Sequence, residues 1–209
     1  MLLYKTISKE ASAEQIIDKS RFIVHIKPVE TKEEADEFIK EKKKEYKDAT
    51  HNVPAMVVGD KMQIQWASDD GEPQGTSGAP IVQMLVNEGI TNVAVVVTRY
   101  FGGIKLGTGG LVRAYTGSAK LGIEAAGICE VREMTSVEVS ADYSLFNRIQ
   151  TYKFDFDVEI TDIVYTDKVS FSMVLKPELK EELKKILSNI SGGAIDNPKE
   201  RAVIHRVNV

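Results

Sequence analysis

Residues 69–115 constrain the fold more than any other part of the chain. Two glycine-rich segments, Asp69 to Pro80 and Thr98 to Tyr115, hold eight of the chain's 15 glycines. Between them lie a short apolar helix pattern and the unbroken apolar run Val93 to Val97, which reads as a buried strand. Glycine weakens the interior of helices and strands, so this density marks tight turns or a backbone brought close to something.

The first segment carries Asp69, Asp70 and Glu72 within four residues. Three such carboxylates repel one another in a dry site unless a cation or protons relieve them. Gly71 and Pro73 force a turn, which places them on a loop. Two readings stay open. The carboxylates could hold a magnesium ion or serve as acid and base, or they could cap turns and accept backbone N–H groups. Pro80 suits the first position of a helix, with Gly78 and Ala79 leading into it.

The second segment reads as strand, glycine loop and helix. Val93 to Thr98 is the strand. A helix runs from Leu111 to Ala126, with Thr108 or Gly109 as its cap and Gly127 just past its end. Free N–H groups at a helix start attract anions. The candidate anion or ligand site is therefore Arg99, Gly102, Gly103, Lys105, Gly107, Gly109, Gly110 and Arg113, facing RNA or a nucleotide. The competing reading is close packing of helix on sheet, which also requires glycine. The loop lacks the spacing of a Walker A motif and matches a dinucleotide fingerprint only in part. Tyr100, Phe101 and Tyr115 either stack on bases or fill the core.

Elsewhere the pattern is that of an ordinary α+β protein. Ser20 to Lys27 alternates, with Phe22, Val24 and Ile26 on one face and Arg21 and His25 on the other. Thr31 and Glu34 form a capping box for a helix that buries Ala35, Phe38, Ile39 and Tyr46 and ends near Tyr46. Val53 to Val58 and Met62 to Trp66 are strands. Pro54 has no N–H to donate, so its strand is expected at an edge or to start late. The pattern switches near Glu130 to Arg132. Beyond it the order is βαββαβ: a strand at Val137 and Val139, a helix from Leu145 to Tyr152, strands Val158 to Tyr165 and Val169 to Leu175, a helix from Pro177 to Leu187 and a strand from Ala202 to Val207. That is the ferredoxin-like pattern. The expected domains are 1–132 and 133–209.

A net charge of −4 disfavours broad nucleic-acid binding but leaves room for a local basic patch. The single cysteine, Cys129, rules out an internal disulfide and fits a reducing cytoplasm. No apolar run is long enough to span a bilayer, and Met1 to Glu10 lacks the plan of a signal peptide.

These residues also form a known constellation. Asp69-Asp70-Gly71-Glu72-Pro73 through Gly78, Thr98-Arg99-Tyr100-Phe101-Gly102-Gly103, and Leu106-Gly107 through Tyr115 resemble the YigZ/IMPACT family. Ser20-Arg21-Phe22 and Asp48-Ala49-Thr50-His51-Asn52 match its earlier blocks. The layout is similar to that of its two-domain bacterial members. The resemblance implies an amino-terminal domain like part of a small-subunit ribosomal protein and a carboxy-terminal domain like part of elongation factor G. It implies a binding protein of translation, with RNA, the ribosome or a translation-related protein as partner. Eukaryotic members regulate translation by competing for an activator of a starvation-sensing kinase, but their second domain differs. Arg21, His51 and Thr76 are secondary site candidates; His51 reads either as a metal ligand or proton shuttle or as a hydrogen-bonded structural histidine, since no second histidine stands at ligand spacing. The alternative is a metal-dependent enzyme acting on a phosphorylated or peptide substrate.

Overall fold

The computed structural model describes residues 1–195 and 198–209. The chain is α+β and divides into two compact units, one of residues 3–131 and 206–209, the other of residues 1–2 and 132–205.

In the larger unit, β2 (Ala11–Ile17), β3 (Ser20–Pro28), β4 (His51–Val58), β5 (Ile64–Ala67) and β6 (Val93–Tyr100) form a sheet of order β2-β3-β6-β4-β5. Its four pairings are antiparallel. Strand β6 is central and buried on both faces because helices cover both. Val93, Val95 and Val97 pack with residues of α2 (Gly78–Asn87) and α3 (Gly107–Ala126), such as Ile81, Leu85 and Tyr115. Ala94 and Val96 pack with Ala35, Phe38 and Ile39 of α1 (Lys32–Glu45). The Thr31 half of the α1 capping box forms, Glu34 N–H donating to Thr31 Oγ1 at 3.2 Å, whereas the Glu34 carboxylate accepts from Glu30 N–H at 2.8 Å, one residue before the cap. Strand β1 (Leu2–Ile7) pairs with β7 (Ile128–Ala141). The buried Cys129 thiol at the start of β7 faces the Ile7 carbonyl at 3.7 Å.

Two expectations need correction. Pro54 lies in an interior strand, flanked by β6 and β5. Its carbonyl accepts from Ser68 N–H on the β5 side, and the β5 ladder begins only at Ala55. A strand residue's N and C=O face the same neighbour, so the missing N–H falls just beyond the ladder's end. Helix α3 begins at Gly107, four residues before the expected start at Leu111, so Thr108 and Gly109 lie inside its first turn. Leu106 is the N-cap, and no side-chain cap bond forms.

In the smaller unit the order is β7, α4 (Tyr143–Thr151), β8 (Val158–Tyr165), β9 (Val169–Leu175), α5 (Lys180–Ser191) and β10 (Lys199–Asn208). A single 3-10 turn, Pro177–Leu179, leads into α5. Strand β7 lies between β10 and β9, and β9 pairs with β8, which is the ferredoxin-like arrangement. Phe146 and Ile149 of α4 and Leu183 and Leu187 of α5 fill one core with Val137, Val139, Phe171 and Met173.

Candidate functional site

The register of the larger unit's sheet lines up three unlike side chains. Phe22 on β3 stands opposite Arg99 on β6, and Arg99 stands opposite His51 on β4. Directly opposed residues share a face, here the one covered by α2 and α3. Arg99 is only 4% exposed, and a buried guanidinium needs a counter-charge. The acidic loop supplies it: Glu72, 8% exposed, accepts from Arg99 Nη1 at 2.7 Å. The same Glu72 Oε1 accepts from the Tyr115 hydroxyl at 2.7 Å. Tyr115 comes from α3 and meets Phe22 edge-on, 5.4 Å between ring centroids. Burial and the Glu72 acceptor push the Tyr115 phenol far up, so it stays a donor. Ser20 Oγ accepts from both Arg99 Nη2 and Gly102 N–H, each at 3.2 Å.

Arg99 is therefore not a free anion ligand; its charge is spent on Glu72. Tyr115 is fully buried and has no face to offer a base. Both belong to a network that fixes the acidic loop, β6 and α3 around one point.

The other carboxylates go elsewhere. Asp69 accepts from Gly75 N–H, Ser77 N–H, Ser77 Oγ and Gly78 N–H at the start of α2. Burial raises its carboxyl, but those donors outweigh burial and hold it below the usual carboxylate range. Asp70 accepts from Asn52 N–H at 2.7 Å and pairs with Lys43. Each of the three carboxylates thus has its own partner. Among the described residues no three His, Cys, Asp or Glu side chains converge as a metal site. The acidic loop does not fit the magnesium reading.

His51 Nδ1 lies 2.8 Å from the Asp70 carbonyl, which can only accept, so that nitrogen carries the proton. In the neutral ring this leaves Nε2 as an acceptor, 3.8 Å from Glu72 Oε1.

Above the network opens a cleft of about 440 Å³. Its floor is Arg99, Glu72 and His51; its walls include Phe101, Pro73, Leu106 and Leu111, with Lys105, Gly107 and Thr108 at the start of α3. Lys105 is exposed. Close approach explains Gly102: a Cβ there would stand 2.0 Å from the Lys19 carbonyl carbon. Gly107 starts α3 with φ +69°, the left-handed region that favours glycine.

The structure thus brings His51, Glu72, Arg99, Lys105 and Gly107 of the expected residues to one cleft. Gly109 and Gly110 lie in the first turn of α3, and Gly102 and Gly103 in the loop before it. Arg113 is exposed one turn further on and does not line the cleft. Thr76 is a buried turn residue whose hydroxyl donates to the Pro73 carbonyl at 2.6 Å. Arg21 faces away and pairs with Glu14 at 2.6 Å. Sequence reasoning missed Ser20, 79 residues from Arg99, because no spacing links them. It also missed Pro73, Leu106 and Leu111 as walls; for Pro73 and Leu106 an apolar residue on a glycine loop was the available signal, whereas Leu111 lies within α3.

Comparison with known proteins agrees with this architecture. Residues 18–123 match the model of the Impact N-terminal domain, and residues 139–194 match a domain of unknown function, DUF1949. The chain is 38% identical to IMPACT family member YvyE of Bacillus subtilis over 193 residues, 92% of this chain and 89% of that one. It is 33% identical to IMPACT family member YigZ of Escherichia coli over 181 residues, 86% of this chain and 89% of that one. A solved crystal structure of a hypothetical protein matches with a TM-score of 0.59 and 28% identity, covering 100% of this chain and 98% of its own. With both family models and these relatives spanning most of the sequence, the chain belongs to the YigZ/IMPACT family.

Proposed function

We propose that this chain is a cytoplasmic binding protein of the translation apparatus that holds a phosphate-bearing partner, RNA or the ribosome, in the cleft at the start of α3. One observation carries the reading. The floor of the cleft is electrically closed, with Arg99 neutralised by Glu72, while its rim is open and positive. The first N–H groups of α3 have no side-chain cap, and Lys105 stands beside them. A helix start carries about half a positive charge, and free N–H groups there suit a phosphate. No helix of the described residues is long and apolar enough to cross a membrane. The two compact units support a division into an Impact-like domain, 1–132, and an elongation-factor-like domain, 133–209.

Replacing Lys105 and Arg113 by alanine tests the reading. Both are exposed, so the fold should survive. RNA affinity should fall, and its salt dependence should flatten by about one unit of slope per lost phosphate contact. A folded double variant that binds RNA and ribosomes as the parent does would refute it.

A second reading, an enzyme acting on a phosphorylated or peptide substrate, has one observation in its favour. The Nε2 acceptor of His51 lies at the cleft beside Glu72, placed to take a proton. Turnover lost in His51→Gln, with RNA affinity unchanged, would favour it.

A further inference from the structure

We propose that the cleft captures one unpaired nucleotide of single-stranded RNA, its base against Phe101 and its phosphate at the start of α3. This rests on the anion site proposed above and adds the form of the ligand.

The walls give the first reason. Pro73, Leu106 and Leu111 contribute apolar surface, whereas a groove that follows only phosphates needs cations and polar donors. A duplex keeps its bases stacked inside and offers nothing to such a wall. An unpaired nucleotide offers the apolar face of a base and a phosphate together. The volume, about 440 Å³, lies in the range of small-molecule sites, about 300–1,000 Å³.

Phe101 gives the second reason. It follows β6, is 46% exposed and lines the cleft. Its backbone is held by Thr50, whose Oγ1 accepts from Phe101 N–H at 3.0 Å. The Arg99 guanidinium lies 5.4 Å from the ring centroid. A core residue would be covered; this one is anchored, backed by a cation and left open, as a stacking platform must be.

The polar groups complete the case. In the neutral ring His51 Nε2 accepts, which suits an exocyclic amino or ring N–H of a base. Arg99, although buried, keeps an Nε–H with no partner among the described residues, in a side chain that lines the cleft. The phosphate would meet Lys105, which forms no ion pair among the described residues, and the uncapped N–H groups of α3. Charge and stacking surface therefore line the same cleft.

The test compares a short oligoadenylate with the duplex it forms with oligouridylate. The wild type should prefer the single strand. Phe101→Leu, which keeps an apolar side chain and loses the π-face, should weaken single-strand binding about 5- to 150-fold and leave duplex binding unchanged. Far-UV circular dichroism checks that the variant is folded. A Phe101→Trp variant in a Trp66→Phe background carries one tryptophan, whose fluorescence should be quenched by the oligonucleotide. AMP should compete better than inorganic phosphate. If single strand and duplex bind equally, or Phe101→Leu changes nothing while Lys105→Ala still weakens binding, base capture fails and the anion site stands. If the wild type binds neither RNA nor phosphate, both fail.

Discussion

Replacing Glu72 by alanine should be among the most damaging single changes in the larger unit. The carboxylate serves two buried donors at once, Arg99 Nη1 and the Tyr115 hydroxyl, each at 2.7 Å. Its loss strands a guanidinium that is 4% exposed and a phenol that is fully buried. Breaking a buried pair by removing one partner costs about 3–5 kcal/mol, and an orphaned buried hydroxyl about 1–3 kcal/mol. One carboxylate makes both contacts, so the two do not add, and the net cost is about 4 kcal/mol. That is a large share of the roughly 5–15 kcal/mol typical of a folded protein. Denaturant titration followed by tryptophan fluorescence is the assay, because Trp66 is the chain's only tryptophan and lies on β5. It reports on this unit without the other. Tyr115→Phe should cost about 1 kcal/mol, and Arg99→Met combined with Glu72→Ala should cost less than the sum of the two single changes. A loss under about 1 kcal/mol for Glu72→Ala, or strict additivity with Arg99→Met, would refute the buried network as the organiser of the site.

Three further outcomes follow from particular residues. Burial, aided by Lys42 and opposed by Glu45, lowers the His25 imidazole to about 4; the ring packs on Tyr46, and its Nδ1 meets Ser12 Oγ at 2.9 Å. Its folded pKa lies below its unfolded one, so stability is full above the ordinary histidine value near 6.5 and falls as pH drops from there toward 4. The loss should be about 1–2 kcal/mol after allowance for hydration, and His25→Gln should flatten the pH profile of denaturation. Gly102→Ala places a Cβ 2.0 Å from the Lys19 backbone, so overpacking of about 1–3 kcal/mol or a shifted loop is expected, read as a lower melting temperature. Expressed separately, 1–132 and 133–209 should each keep secondary structure by circular dichroism, the first weakened because Val209 N–H no longer reaches the Ile128 carbonyl; two unfolded fragments would contradict the two-domain reading.

What the sequence made legible was whatever a local rule encodes. Thr31 and Glu34 announce α1, the alternation of β3 names its core face, and the βαββαβ order appears in the spacing of valines and leucines. Strands β1 and β2 were not legible. The Asp18-Lys19 hairpin between β2 and β3 takes φ +45° and +62° without glycine or asparagine, so the usual turn signal is missing. Ala11-Ser12-Ala13-Glu14 is a weak strand former whose pairing comes from β3. The start of α3 was misplaced because four glycines near it argue against helix by propensity, and packing against the sheet overrides that preference. At the site, the types were legible but not the pairings. Asp69, Asp70 and Glu72 look alike in sequence, yet one caps α2, one binds β4 and one neutralises Arg99. Only the sheet register, which sets His51 and Phe22 on either side of Arg99, sorts them.

The most direct measurement of the central claim is an amide chemical-shift titration of the labelled protein with single-stranded oligoadenylate. The predicted result is that the N–H signals of Gly107 to Gly110, together with Phe101 and Lys105, move progressively and saturate together, while the sheet interior stays still. Saturating binding whose shifts lie elsewhere on the chain, with Gly107 to Gly110 unmoved, would contradict it.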